Sequence, residues 1–331
     1  MKTSELLLFL VSRIGQAMLV MIVISMIGFA IQNNLGDPLR ELVGQSVSEA
    51  ERNIVRERMG LNDHIFVQYW RFMQKAVTGD LGTSYFFKKP TLEVIFAKFA
   101  ATFELVLLAS VIIIFVSVPV GVRCAISPDS WISRTIMGLS IVGISIPVFL
   151  TAIFLIYIFS VQLGIMPSFG RGETVTLPWG WDTGFLTFDG WAHIIMPSVA
   201  LSSIMLPLFI RLIRGEMLEV LNSEYIRFAW AKGLKPQRIW YVHALKNTLI
   251  PTVSLGGVKI GTLIAYTILT ETVFQWPGMG FLFLEAVNRA DTPLIIAYII
   301  VVGFIFVTTN TIVDLIYSFI NPTISIAGER K

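Results

Sequence analysis

The chain has 331 residues, of which 55% are hydrophobic and only 14% charged, with a mean hydropathy of +0.74 and a net charge of +3. Soluble domains carry about 25% charged residues, so the composition excludes a water-soluble globular domain and calls for a bilayer as solvent. One cysteine, Cys124, excludes an internal disulfide or a CxxC motif, and His64, His193 and His243 lie too far apart in sequence to make a helical metal-ligand pair.

A bilayer core takes about 20 apolar residues per helix. Six stretches reach that length, near 9–31, 102–123, 135–162, 192–213, 248–270 and 294–319. The first contains Gly28-Phe29-Ala30, a small-x-small pattern of the kind a signal peptidase cuts. Its apolar run from Ile14 to Ile31 exceeds the roughly 7–15 residues of a signal core, so it is expected to be an uncleaved anchor.

The segment 32–101 is expected to fold. Ser48-Glu49-Ala50-Glu51 reads as a capping box opening a short helix that ends near Gly60. A second amphipathic helix is predicted over Ile65–Val77, with Asn62-Asp63 as cap candidates, and Gly79-Asp80-Leu81-Gly82 and Lys89-Pro90 signal turns. Glu104 and Arg13 lie near span ends, where snorkelling or local pairing accounts for them. Pro147, Pro197 and Pro207 fall within spans, where kinks could serve gating, although prolines are tolerated in membrane helices generally and that plainer reading is favoured for each.

Lysine and arginine set the orientation. The 123–134 loop carries Arg123 and Arg134 and the 211–246 loop seven basic residues, whereas 163–191 has only Arg171 and 271–293 only Arg289. Both termini and the 211–246 loop are therefore expected in the cytoplasm and the 32–101 segment outside. Trp179, Trp181 and Trp191 suit an interfacial aromatic belt on the outer side.

Between the fourth and fifth stretches the sequence reads EYIRFAWAKGLKPQRIWYVHALKNTLIP, from Glu224 to Pro251. A helix, a break at Gly233 and a second helix capped by a proline are expected to make a rigid elbow. Ala229 and Ala231 are small enough for a partner to approach closely. An ordinary positive-inside loop is the competing reading. Lys259 sits near mid-bilayer in the fifth stretch, where a charge costs at least about 2.5–3.5 kcal/mol and so must face a path or a partner. Two readings stand: it lines a translocation path for anionic solutes, or it pairs with an acid such as Asp314. No GxxxxGK[ST] loop is present, so nucleotide hydrolysis would have to come from another subunit. No HExxH or nucleophile elbow is present either, and the chain is not expected to be an enzyme.

The elbow resembles the EAA loop of bacterial ABC importer permeases of the dipeptide, oligopeptide and nickel branch. The likeness extends in order through Leu35-Gly36-Asp37-Pro38, Met59-Gly60-Leu61, Val67-Gln68-Tyr69, Gly79-Asp80-Leu81-Gly82-Thr83-Ser84 and Ala101-Thr102-Phe103-Glu104-Leu105. It resumes at Glu271-Thr272-Val273-Phe274, Trp276-Pro277-Gly278, Gly280 and Asp314. Departures are Arg227-Phe228-Ala229 at the family's leading Glu-Ala-Ala positions, a charge at 259, and Asn321-Pro322 where Asp-Pro is common.

The resemblance implies an all-α membrane protein of six transmembrane helices with the type I ABC importer permease fold. It would divide into a first helix and long folded periplasmic loop (1–95), a transmembrane domain (96–321, coupling loop about 214–247) and a cytoplasmic tail (322–331). It implies a bacterial inner-membrane permease subunit that carries peptides or related small solutes delivered by a periplasmic substrate-binding protein. Partners would be a homologous second permease subunit and two ATP-binding subunits, which hold ATP and Mg; this chain would hold no cofactor or metal. Glu224, Arg227, Ala229, Ala231, Gly233 and Leu234 would couple to the ATPases. Glu271, Trp276, Pro277 and Gly278 would form an outer gate or binding-protein dock. The alternative is a stand-alone secondary transporter or channel using Lys259 and Asp314.

Overall fold

A computed structural model describes residues 3–34, 57 and 63–320. The predicted capping-box helix near 48–60, the Leu35–Pro38 motif and the 322–331 tail lie outside the described residues, as does the side chain of Asp314. The described chain is helical almost throughout, as an apolar solvent demands, because a helix satisfies its own backbone donors and acceptors. Three helices are long and apolar enough to cross a bilayer: α1 (Thr3–Asn34), α3 (Thr91–Ile126) and α11 (Thr292–Ile320). Two bent pairs meet the same test, α4 with α5 (Trp131–Ser145, then Val148–Leu155 continuing as a π-helix over Ile156–Gln162) and α6 with α7 (Phe188–Ser202, Leu206–Leu221). The remaining predicted stretch, 248–270, falls inside α9 (Leu245–Val273).

The two bent pairs break the stretches read as continuous apolar runs near 135–162 and 192–213. The first bends by 107° at Ile146-Pro147. Proline disfavours the helical region for the residue before it, and Ile146 is extended at φ −86°, ψ 120°. The second bends by 56°, with Pro207 in the first turn of α7, where its missing N–H is harmless. At that break the hydroxyls of Ser202 and Ser203 donate to the carbonyls of Val199 and Ala200, at 2.8 and 2.7 Å. The Ser203 N–H also donates to both carbonyls, at 3.1 and 3.2 Å, so the two hydroxyls are held by the backbone of α6 itself and need no water.

The chain divides into two units, residues 1–100 with 277–308 and residues 101–276 with 309–331. In the first, Val94 and Ile95 of α3 pack with Met279 and Leu282 of α10 (Met279–Asn288) and Leu294, Tyr298 and Val301 of α11. Glycines let α1 approach α11. A Cβ at Gly303 would lie 2.4 Å from Ile24 and one at Gly28 3.0 Å from Ile296. The predicted amphipathic helix is present as α2 (Ile65–Val77), packed beside α1.

Buried Asp291 is the hub of this unit's loops. It accepts from Ser84 Oγ at 2.5 Å, from the Tyr85 and Phe86 N–H at 3.1 Å, and from the Leu294 N–H at 3.4 Å, ahead of α11. Removing it would strand buried donors, each costing about 1–3 kcal/mol. Asp291→Ala is therefore expected to lower the melting temperature of the purified protein by several degrees, and Asp291→Asn to restore part of the loss. Equal melting of wild type and Asp291→Ala would remove the hub role.

In the second unit α9 is the central helix, packed against α5, α6 and α7. A Cβ on Gly121 of α3 would come within 2.8 Å of Ile213 of α7, so close helix approach requires glycine there. A short antiparallel ribbon, β1 (Val175–Thr176) with β2 (Asp182–Thr183), braces the 163–187 loop.

Candidate functional site

The elbow is a short helix closed by a defined turn. α8 (Glu224–Ala231) ends in a Schellman turn: the Gly233 N–H donates to Trp230 O at 2.9 Å and the Leu234 N–H to Ala229 O at 3.3 Å. Gly233 stands at φ +72°, the left-handed region that a side chain makes costly. The return arm is a turn at Pro236–Arg238 and a π-helix, Ile239–Ala244, that runs directly into α9. Pro251 does not end this arm, contrary to the expectation from its sequence. It lies within α9, as prolines in membrane helices are able to do.

Ile226, Ala229, Ile239 and Ala244 face inward onto Val122 and Ala125 of α3 and Ile213 and Met217 of α7. Ala229 is thus buried, and its small side chain serves the seat of α8 on its own unit rather than an outside contact, a correction to the sequence reading. Ala231 is exposed. Glu224 and Arg227 pair at 2.8 Å on the outer surface of α8, 87% and 67% exposed, so the pair stabilises the helix by a few tenths of a kcal/mol at most.

The sequence reading did not single out the aromatic residues of this face. Tyr225, Phe228, Trp230 and Tyr241 are all exposed, and Lys232 Nζ sits 4.5 Å from the Phe228 ring centroid. Their signal was in the sequence, since α8 alternates inward Ile226 and Ala229 with outward aromatics at helical spacing. Asn247, in the first turn of α9, donates to Tyr225 Oη at 2.7 Å. That bond ties the elbow directly to the helix that bears Lys259.

Lys259 lies three turns further along α9, about 18 Å at 1.5 Å per residue. It lines a cavity of about 600 Å³ walled by apolar side chains such as Ile113, Met205, Phe209 and Leu263, with Ser110 and Thr252 as minor polar contributors. Among the described residues no carboxylate lies within ion-pair distance of its ammonium. Nor does any group of three or more His, Cys, Asp or Glu side chains among them form a metal cluster.

At the far end of α9, burial argues against the docking half of the expectation of an outer gate or binding-protein dock. Glu271 and Trp276 have almost no exposure, 0% and 1%, so neither offers a surface to a docked protein. Glu271 Oε1 accepts from Thr102 Oγ1 at 2.7 Å, and Trp276 Nε1 donates to Ala101 O at 3.0 Å, both on α3. Pro277 is half-buried, and buried Gly278 is the N-cap of α10.

Beside this anchor Glu104 of α3 pairs with Arg171 at 2.8 Å, their side chains 2% and 11% exposed. Arg171 also donates to Asp182 O at 2.6 Å, and its guanidinium lies 5.9 Å from the Trp276 ring centroid. One continuous helix, α9, runs from the elbow past Lys259 on the wall of an apolar cavity to an end hydrogen-bonded to α3.

The family model described as binding-protein-dependent transport system inner membrane component matches residues 117–326, and its N-terminal companion matches residues 6–108. The dipeptide transport system permease protein DppB of Alkalihalophilus pseudofirmus is 40% identical over 301 residues, covering 87% of this chain and 90% of that protein. DppB of Escherichia coli strain K12 is 34% identical over 337 residues, covering 96% and 99%. The oligopeptide transport system permease protein AppB of Bacillus subtilis strain 168 is 34% identical over 318 residues, covering 96% and 98%. Among solved structures, a chain of the MetNI methionine ABC transporter in inward-facing conformations superposes with a TM-score of 0.54 at 18% identity. It covers 70% of this chain and 97% of its own, and speaks to fold alone.

Proposed function

The chain belongs to the binding-protein-dependent transport system inner membrane components, the permease subunits of ABC importers, and we propose that it forms half of a path for peptides or related small solutes. Membership sets aside the stand-alone transporter. In the proposed arrangement six helices span the bacterial inner membrane with both termini in the cytoplasm, and a periplasmic binding protein delivers the solute. A homologous second permease completes the path. Two ATP-binding subunits below hold ATP and Mg and engage the elbow.

The observation that carries this reading is the elbow's construction. Ile226 and Ala229 seat α8 on its core, the Gly233 turn fixes its exit, and Tyr225 with Asn247 joins it to α9. A displacement of α8 therefore moves α9, and with it Lys259, as one body. Glu224, Arg227, Ala231 and the exposed aromatics meet the ATPase, while Gly233, Leu234 and buried Ala229 hold the shape. Closure of the ATPases would rock the permease between outward and inward states, and solute shifts that balance only by binding them unequally.

Peptide cargo is the choice favoured by relatives named for dipeptide and oligopeptide transport, and Lys259 would meet the peptide's carboxylate in the cavity. Cysteine placed at Ala231 is expected to cross-link to an ATP-binding subunit, with yield that changes on adding ATP. Phe228→Asp should leave assembly intact and cut ATP-dependent uptake several-fold. An elbow that labels only from outside the cell, or full uptake by Phe228→Asp, would overturn the proposal.

A further inference from the structure

We propose that α2 lies flat in the membrane–water interface beside α1, with Phe66, Trp70 and Val77 inserted among lipid acyl chains. α2 is held against the end of α1. Tyr69 Oη shares a 2.7 Å hydrogen bond with Ser25 Oγ, and the Tyr69 and Phe72 rings pack on Phe29 at centroid distances of 5.4 and 6.0 Å. Ser25 and Phe29 belong to the last two turns of the apolar run Val11–Ile31. The helix is therefore fixed at the depth where that span meets the headgroups.

At 3.6 residues per turn, α2 then divides into three arcs. Tyr69, Phe72, Met73 and Ala76 form the half-buried arc toward α1. Arg71, Gln74 and Lys75 form an exposed, mainly polar arc, interrupted by Val67 at 43% exposure. Phe66, Trp70 and Val77, at 76%, 62% and 81% exposure, form an apolar arc in which Phe66 stacks on His64 at 5.3 Å and all three side chains stay largely uncovered by the described residues. The apolar arc stands roughly a quarter-turn from the α1 arc and about opposite Lys75.

That is the geometry of a helix with protein at its side, water above and hydrocarbon below. Tryptophan prefers this depth, and long basic side chains reach up to phosphates. Arg71 is braced at 2.6 Å by Asp63, so Lys75 is the cation left to meet a headgroup. The occupant of the apolar arc is thus the bilayer itself, and the helix anchors α1 against sliding along the membrane normal.

Nitroxide labels on single cysteines at Phe66, Trp70 and Val77, compared with Gln74 and Lys75, test this in the assembled transporter in lipid nanodiscs. The background is Cys124→Ala, or native Cys124, whose buried thiol is shielded from label. The ratio of oxygen to water-soluble nickel-chelate accessibility is expected to be about threefold or more higher at 66, 70 and 77 than at 74 and 75. Equal, water-like ratios at all five positions would overturn the proposal, as would low accessibility to both quenchers at 66, 70 and 77, which would mean a protein cover.

Discussion

Lys259→Gln is expected to lower uptake of a solute bearing a free carboxylate by about tenfold, with complex yield and basal ATPase activity unchanged. A factor of ten corresponds to about 1.4 kcal/mol. Two unit charges 4 Å apart attract by about 4 kcal/mol at an effective dielectric constant of 20, so the loss is within reach after desolvation is counted. The cavity supplies that setting, because its walls are almost wholly apolar and Lys259 is its one cation among the lining residues.

Two controls separate the path reading from pairing with an acid such as Asp314. Lys259→Glu should reverse the preference between an anionic and a cationic dipeptide if the ammonium meets cargo. If its role is structural, both Lys259 variants should instead lower the yield of assembled complex and slow all solutes alike. An equal effect on anionic and neutral cargo would sink the path reading.

The helical class was legible from apolar run length, because a bilayer imposes one length and one backbone solution on every span, and among the described residues three of the six predicted stretches, or five counting the bent pairs, are long and apolar enough to cross. The bounds of α2 follow in the same way from its period and its turn signals. The bends at Pro147 and Pro207 were not legible. Proline in a membrane helix is consistent with a straight rod, a kink or a break, and neighbours decide among them. The elbow's glycine turn could be foreseen because positive φ has a one-residue signature, whereas the inward pointing of Ala229 depends on where α3 and α7 lie. The locked far end of α9 was illegible for another reason. Ala101 and Trp276, or Thr102 and Glu271, are far apart in sequence, and nothing local announces the contact.

The Glu104–Arg171 pair belongs to that long-range class and gives the second large expected effect. Glu104→Ala should destabilise the protein by about 3–5 kcal/mol, since it leaves a nearly buried guanidinium without its counter-charge. Arg171→Ala should cost a comparable amount for the mirror-image reason and should also release Asp182 O and the face of Trp276. The pair is incompletely satisfied, because Glu104 Oε1 and Arg171 Nε find no hydrogen-bond partner among the described residues. Desolvation therefore weighs heavily against the Coulomb gain, and an apolar replacement of both groups removes that penalty along with the attraction. Glu104→Leu with Arg171→Met is accordingly expected to melt above either single alanine variant. Its temperature should fall within a few degrees of wild type, read by intrinsic fluorescence of the purified complex. Simple additivity of the two single losses in the double variant would show that the charges act independently, and the lock between α3 and the 163–187 loop would have to be sought elsewhere.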